Sequence, residues 1–185
     1  MLSERNKRER QADRDNEVTI AEAYCKALGI TDEPFQHLPL HPVDYSIFHN
    51  GEFLEFLEIR VRGKTVQQYE KEGWIPIGQP KLYSIEEHAA KFINLIVDED
   101  LDTCVMYELL PCDPVNFDFY LDRRPYRRRE VVYQVPMKYF TPIVVNGEKV
   151  TIPVDQIHFR RKGKDTTDFN KKGPRQASGE HRAVA

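Results

Sequence analysis

The dipeptide Asn50-Gly51 lies between two runs of strand-forming residues, Tyr45–His49 and Glu52–Val61, and constrains the fold more than any other feature. Asn-Gly takes the left-handed backbone at both central positions of a tight turn, so the chain is expected to double back here as an antiparallel hairpin. A second pair, Asn146-Gly147, between Ile143–Val145 and Lys149–Ile152, predicts another hairpin near the end of the chain.

Around these hairpins the elements alternate. Asn16 is expected to cap a helix whose apolar residues Val18, Ala21, Cys25 and Leu28 follow the 3.6-residue period, with Gly29 as its stop. A Pro/His loop from Pro34 to Pro42 leads into the first hairpin. Beyond it, a polar linker through Trp74 and Pro80 is expected to reach a second helix. Ser84 would cap that helix, Glu86 and Glu87 would sit in its first turn, and Ala89, Phe92, Ile93 and Ile96 would share one face. Thr103–Leu110 reads as a buried strand and Val115–Leu121 as a shorter one. The order predicts an α/β or α+β domain built on a mixed β-sheet flanked by helices.

Composition narrows the class. The chain has 185 residues, of which 40% are hydrophobic and 31% charged, enough for one core under a heavily charged surface. No run of about 18 apolar residues exists to span a bilayer, and the N-terminus lacks the apolar stretch of a secretory signal. Three cysteines, Cys25, Cys104 and Cys112, form no CxxC pair, which points to a reducing, cytoplasmic setting without structural zinc. The net charge of −3 averages unlike segments. Residues 160–185 carry eight basic and three acidic side chains, and residues 1–17 carry five of each, which leaves −8 for the body between them. The basic tail has too few large apolar residues to offset its ordering entropy and is expected to be disordered.

The chemistry concentrates in His41-Pro42-Val43-Asp44 and in the strand that returns from the turn, which contains Glu58-Ile59-Arg60. Side chains alternate along a strand, so Glu58 and Arg60 share one face while Leu57, Ile59 and Val61 take the other. Glu55 is out of phase with them. Whether Asp44 meets Glu58 depends on the turn. A two-residue turn pairs His49 with Glu52 and sets Asp44 opposite Leu57. A three-residue loop, with Gly51 left-handed and a bulge beside it, pairs His49 with Phe53 and sets Asp44 opposite Glu58. The competing reading of the same residues is a surface hairpin with an ordinary ion pair.

An Asp at the head of a hairpin, a short turn, then a hydrophobic strand ending in Glu-x-Lys is the core of the PD-(D/E)XK, or restriction-endonuclease-like, nucleases. Pro42-Val43-Asp44 and Glu58-Ile59-Arg60 resemble that motif, and residues 17–121 resemble its order of elements. The resemblance implies a DNA phosphodiesterase of recombination, repair or phage DNA processing. Asp44, Glu58 and the carbonyl of Ile59 would hold Mg²⁺ or Mn²⁺, with Glu22 on the first helix as an additional acid. Hard cations of this kind take oxygen ligands. The ion would activate a water and stabilise charge on the scissile phosphate. Arg60 stands where the family usually has Lys. It stays protonated and grips phosphate as a planar fork, so the lysine's role would pass to Lys81, or to Lys64. The same substitution opens a second reading, a catalytically impaired protein that keeps the nuclease fold and binds nucleic acid or serves in an assembly. A small structural or interaction protein docking a partner through its basic tail is a third.

The organisation implied is a polar extension over 1–16, a nuclease-like domain over 17–159 and a basic tail over 160–185. The densest basic run, Arg123, Arg124, Arg127, Arg128 and Arg129 around Tyr126, is expected to contact phosphates, with Tyr126 available to stack on a base. His37, His41 and His49 lack the spacing of metal ligands, and Trp74 reads as a core or loop anchor. DNA is the expected partner, and no membrane is.

Overall fold

The computed structural model describes residues 4–31, 35–38, 41–100, 102–122 and 130–159. The basic run 123–129 and the tail 160–185 lie outside the described residues. Helices α1 (Glu4–Ala27), α2 (Val66–Glu72) and α3 (Gln79–Glu87) flank twelve strands among the described residues. These are β1 (Phe35–His37), β2 (Tyr45–His49), β3 (Glu52–Thr65), β4 (Trp74–Gly78), β5 (Lys91–Asp98), β6 (Thr103–Leu109), β7 (Phe119–Asp122), β8 (Glu130–Pro136), β9 (Phe140–Pro142), β10 (Val144–Val145), β11 (Glu148–Lys149) and β12 (Thr151–Pro153).

The main sheet runs β1-β2-β3-β5-β6-β12, with β9 also on β6. Among the described residues only its β3–β5 pair is parallel. A smaller sheet, β4-β8-β7, stands against it, and β10 pairs with β11 across Asn146-Gly147. The fold is therefore α+β with a mixed sheet, as expected. Each face of the main sheet carries its own core. Ile20, Ala21, Tyr24 and Cys25 of α1 pack on Leu57, Ile59, Ile93 and Leu95 on one side. Val66, Tyr69, Ile75, Ile77 and Leu82 pack on Phe92, Ile96 and Val105 on the other. Among the described residues no helix is long and apolar enough to cross a membrane.

The expected strand Val115–Leu121 is shortened to β7, with Pro114–Asn116 a 3-10 turn before it, and three further elements differ from expectation. First, α1 begins at Glu4, so Asn16 is an interior residue and not a cap. It is 2% exposed, and its side-chain amide donates to His158 O (2.7 Å) and accepts from His158 N (2.8 Å). Its buried polar atoms thus find partners in the returning chain, as burial requires. The buried stripe of α1 is Ile20, Ala21, Tyr24 and Cys25, while Val18 and Leu28 are exposed.

Second, the expected linker is structured. Thr65 and Gln68 close a capping box at the start of α2, and left-handed Gly73 (φ 80) ends it before β4. Third, Ser84 lies inside α3, and Phe92, Ile93 and Ile96 belong to strand β5 rather than to a helix. All five residues from Phe92 to Ile96 are buried, because β5 is a central strand covered on both faces.

Candidate active site

The hairpin satisfies both sequence alternatives in part. Asn50 (φ 53) and Gly51 (φ 79) form the two-residue turn, and His49 pairs with Glu52. The register then slips by one, since Ile47 pairs with Glu55 while Phe48 pairs with Phe53, leaving Leu54 as the extra residue. Tyr45 therefore faces Leu57, and Asp44 arrives beside Glu58. The bulge sits three residues beyond Gly51, not at the turn.

Past Leu57, β2 no longer covers this edge of β3. Asp44 N donates its last hairpin bond to Leu57 O (3.0 Å), which leaves the N–H and C=O of Ile59 without a strand partner. Asp44 Oδ2 accepts from Ile59 N (2.9 Å), so the acid replaces the missing strand. Ile59 O accepts from Arg60 Nη1 (2.6 Å). Backbone groups on a buried edge must be paired somehow, and here side chains of the site do it.

Glu58, on the neighbouring position of the strand, is wholly buried. Its Oε1 lies 2.6 Å from Arg60 Nη2 and 2.7 Å from Lys81 Nζ, neither contact having the angles of an oriented hydrogen bond. Its Oε2 is buried with no hydrogen-bond partner among the described residues. Lys81, in the first turn of α3, also donates to Pro42 O (3.2 Å), which ties the helix to the loop before Asp44. Arg60 Nη1 reaches Asp44 Oδ2 at 3.5 Å and Glu17 Oε1 at 4.0 Å.

These charges act on one another. Burial pushes the Glu58 carboxyl up to about 7. Arg60 pulls it back, Asp44 adds to the rise, and Lys81 opposes it. Burial also raises Glu17 to about 7, reinforced by Asp44 and Glu58 and opposed by Arg60 and Lys81. Perturbed acids gathered against a cleft are a marker of functional sites. The cleft, about 930 Å³, lies between α1, β3 and the small sheet, and is lined by Glu17, Arg60, Lys81, Tyr120, Asp122 and Glu130 among others. Asp122 and Glu130 flank the segment that contains Arg123–Arg129, whose own positions lie outside the described residues.

Of the expected site residues, Asp44, Glu58, Ile59, Arg60 and Lys81 come together. Glu22 does not join them: it is exposed, and on a helix it lies about 140° round from Glu17. Glu17, on the same helix, is the acid that stands beside Arg60. Its signal was in the sequence as a stripe, since Asp13, Asn16 and Glu17 continue the spacing of Ile20, Ala21 and Tyr24 with polar residues. Lys64 pairs with Glu72 and stands over the Tyr69 and Trp74 rings instead. Glu55 accepts from Tyr24 OH on the α1 side. His41 stacks on Phe56 and sits against His88, and His37 packs on Tyr45.

Among the described residues no three His, Cys, Asp or Glu side chains stand ready around a metal position. The donor set nevertheless suits a hard divalent ion. It offers carboxylate oxygens from Asp44, Glu58 and Glu17, a backbone carbonyl free of the sheet, and in Glu58 Oε2 a buried oxygen with nothing bonded to it. The guanidinium of Arg60 is the group that stands among these oxygens. Comparison of the chain with models of known families, with curated proteins and with solved structures finds no match.

Proposed function

We propose that the chain is a metal-dependent phosphodiesterase acting on DNA, with a restriction-endonuclease-like core formed by α1, the β2–β3 hairpin, α3 and β5. The observation that carries this reading is the gathering of Glu17, Asp44, Glu58 and the carbonyl of Ile59, which has no strand partner, around Arg60 at one edge of β3, with Lys81 beside Glu58. The parallel β3–β5 pair joined through α2, β4 and α3 is compatible with it.

Asp44, Glu58 and Ile59 O would hold Mg²⁺ or Mn²⁺, with Glu17 as a further or water-bridged acid. The ion would supply an activated water and neutralise charge on the phosphate. Lys81, anchored by Pro42 O, is placed to orient that water against Glu58. Arg60 can receive a non-bridging phosphate oxygen on its planar fork. Tyr120, 41% exposed on the cleft wall, offers an aromatic face to a base.

A second reading is favoured by one observation: the Arg60 guanidinium already contacts Asp44, Glu58 and Ile59 O, the groups proposed for the ion. A protein held in that state would bind nucleic acid without cutting it. Plasmid nicking with Mg²⁺ and Mn²⁺ separates the two. The enzyme reading expects nicking by wild type that Asp44→Ala and Glu58→Ala abolish. DNA binding with no nicking under either ion selects the second reading, and nicking that survives both substitutions removes the site assignment.

A further inference from the structure

We propose that Arg60 is a displaceable stand-in for the divalent ion, and that its release into the cleft makes ion binding and phosphate binding favour each other. The inference rests on the cation site proposed above and concerns how that site is loaded.

The geometry of the guanidinium is that of an occupant shared among several partners. One nitrogen serves Ile59 O (2.6 Å), Asp44 Oδ2 (3.5 Å) and Glu17 Oε1 (4.0 Å), and another serves Glu58 Oε1 (2.6 Å). No carboxylate receives the two parallel bonds that make an arginine–carboxylate pair strong. Arg60 and Lys81 both lie at Glu58 Oε1, and Oε2 stays buried with no hydrogen-bond partner among the described residues, so the two cations leave one oxygen of the pocket unpaired. A divalent ion brings twice the charge and binds these oxygens directly. Arg60 has room to leave, because its side chain is 33% exposed and lines the cleft. Lys81 is held at both Pro42 O and Glu58 and stays behind.

The charge consequence sets the direction of coupling. With its carboxylates ionised, the pocket has three negative groups (Glu17, Asp44, Glu58) and two positive ones (Arg60, Lys81), a formal −1. Adding a divalent ion turns this to +1 and moves one of the positive charges to the cleft, where a phosphate would lie. Such coupling is reciprocal: a phosphate that holds Arg60 outward must tighten the ion by the same factor.

The test is calorimetric titration of Mn²⁺ into the full chain, with and without a saturating phosphorothioate oligonucleotide that resists cleavage, at constant ionic strength. Wild type, Arg60→Ala, Arg60→Met and Asp44→Asn are compared, with folding checked by circular dichroism. Both Arg60 variants are expected to bind Mn²⁺ roughly tenfold more tightly than wild type in the absence of oligonucleotide. The oligonucleotide should tighten Mn²⁺ on wild type at least fivefold more than on the Arg60 variants, where only direct contact between ion and phosphate remains. Equal or weaker Mn²⁺ binding by both Arg60 variants, or equal tightening of all chains by the oligonucleotide, overturns the inference while the cation site stands. Mn²⁺ binding that is absent throughout, or that survives Asp44→Asn, removes the cation site itself and the inference with it.

Discussion

Arg60 and Arg62 lie two residues apart on the same face of β3, yet their surroundings are opposite in kind. The Arg62 guanidinium is met by neutral acceptors, Asn94 Oδ1 at 2.6 Å and Pro76 O at 3.1 Å, and stands over the Phe92 ring. Burial lowers its pKa to about 10, against a smaller opposing pull from Tyr69 and Glu58, and among the described residues no carboxylate forms an ion pair with it. It joins the main sheet to β4 as a structural part. Arg60 is met instead by three carboxylates, Glu58 at 2.6 Å, Asp44 at 3.5 Å and Glu17 at 4.0 Å. Fixed neutral partners make a strut. Excess charge around a partly exposed cation makes a site whose occupant can be exchanged.

The largest effect is expected at the strut. Arg62→Ala leaves buried Asn94 Oδ1 and Pro76 O without a donor and removes the stem over Phe92, a loss of about 3–5 kcal/mol in urea unfolding. Mn²⁺ should not restore it. Arg60→Ala should cost less, about 2 kcal/mol at pH 8, because Glu58 then keeps only Lys81 as counter-charge. Here Mn²⁺ should restore the stability, and a failure of Mn²⁺ to distinguish the two variants would erase the comparison.

Protonation sharpens it further. The raised carboxyls of Glu58 and Glu17 mean that the folded chain holds more protons than the unfolded chain between about pH 4.5 and 7. Stability attributable to them is therefore greatest at the acid end, falls as pH rises through this window, and levels off above it. Glu58→Gln should remove part of the fall, raising stability at pH 8 by about 1–2 kcal/mol relative to pH 5. Thermal melts across that range check it, and an unchanged slope would mean that Glu58 does not bear the cost of burial. The smallest effect is at the cleft wall. Tyr120→Ala should weaken binding of a single-stranded oligonucleotide about fivefold, with Tyr120→Phe close to wild type in fluorescence anisotropy. Equal binding by all three would take Tyr120 out of the interface.

The sequence made some of this legible and concealed the rest for physical reasons. Asn50-Gly51 announced the turn, because few other pairs accept two left-handed residues. The bulge at Leu54 has no such residue signature, so the register of Asp44 against Glu58 could only be posed as a choice. Strand β5 read as a helix because Phe92, Ile93 and Ile96 fit a 3.6-residue stripe as well as they fit a strand buried on both faces. The close of α3 was hidden too, since Ala89, and not a glycine, takes the left-handed position (φ 48) after it. A phase set by Val18 and Leu28, which are exposed, points to Glu22. The buried stripe through Ile20, Ala21 and Tyr24 leads to Glu17 instead.

The central claim is that the oxygens now shared with Arg60 form a divalent-cation site. A crystal of the full chain soaked in Mn²⁺ and measured at the manganese absorption edge tests it most directly. One anomalous peak is expected about 2 Å from carboxylate oxygens of Asp44 and Glu58 and from Ile59 O, with the Arg60 guanidinium turned into the cleft. A map with no peak there, and Arg60 still against Glu58 at saturating Mn²⁺, would contradict it.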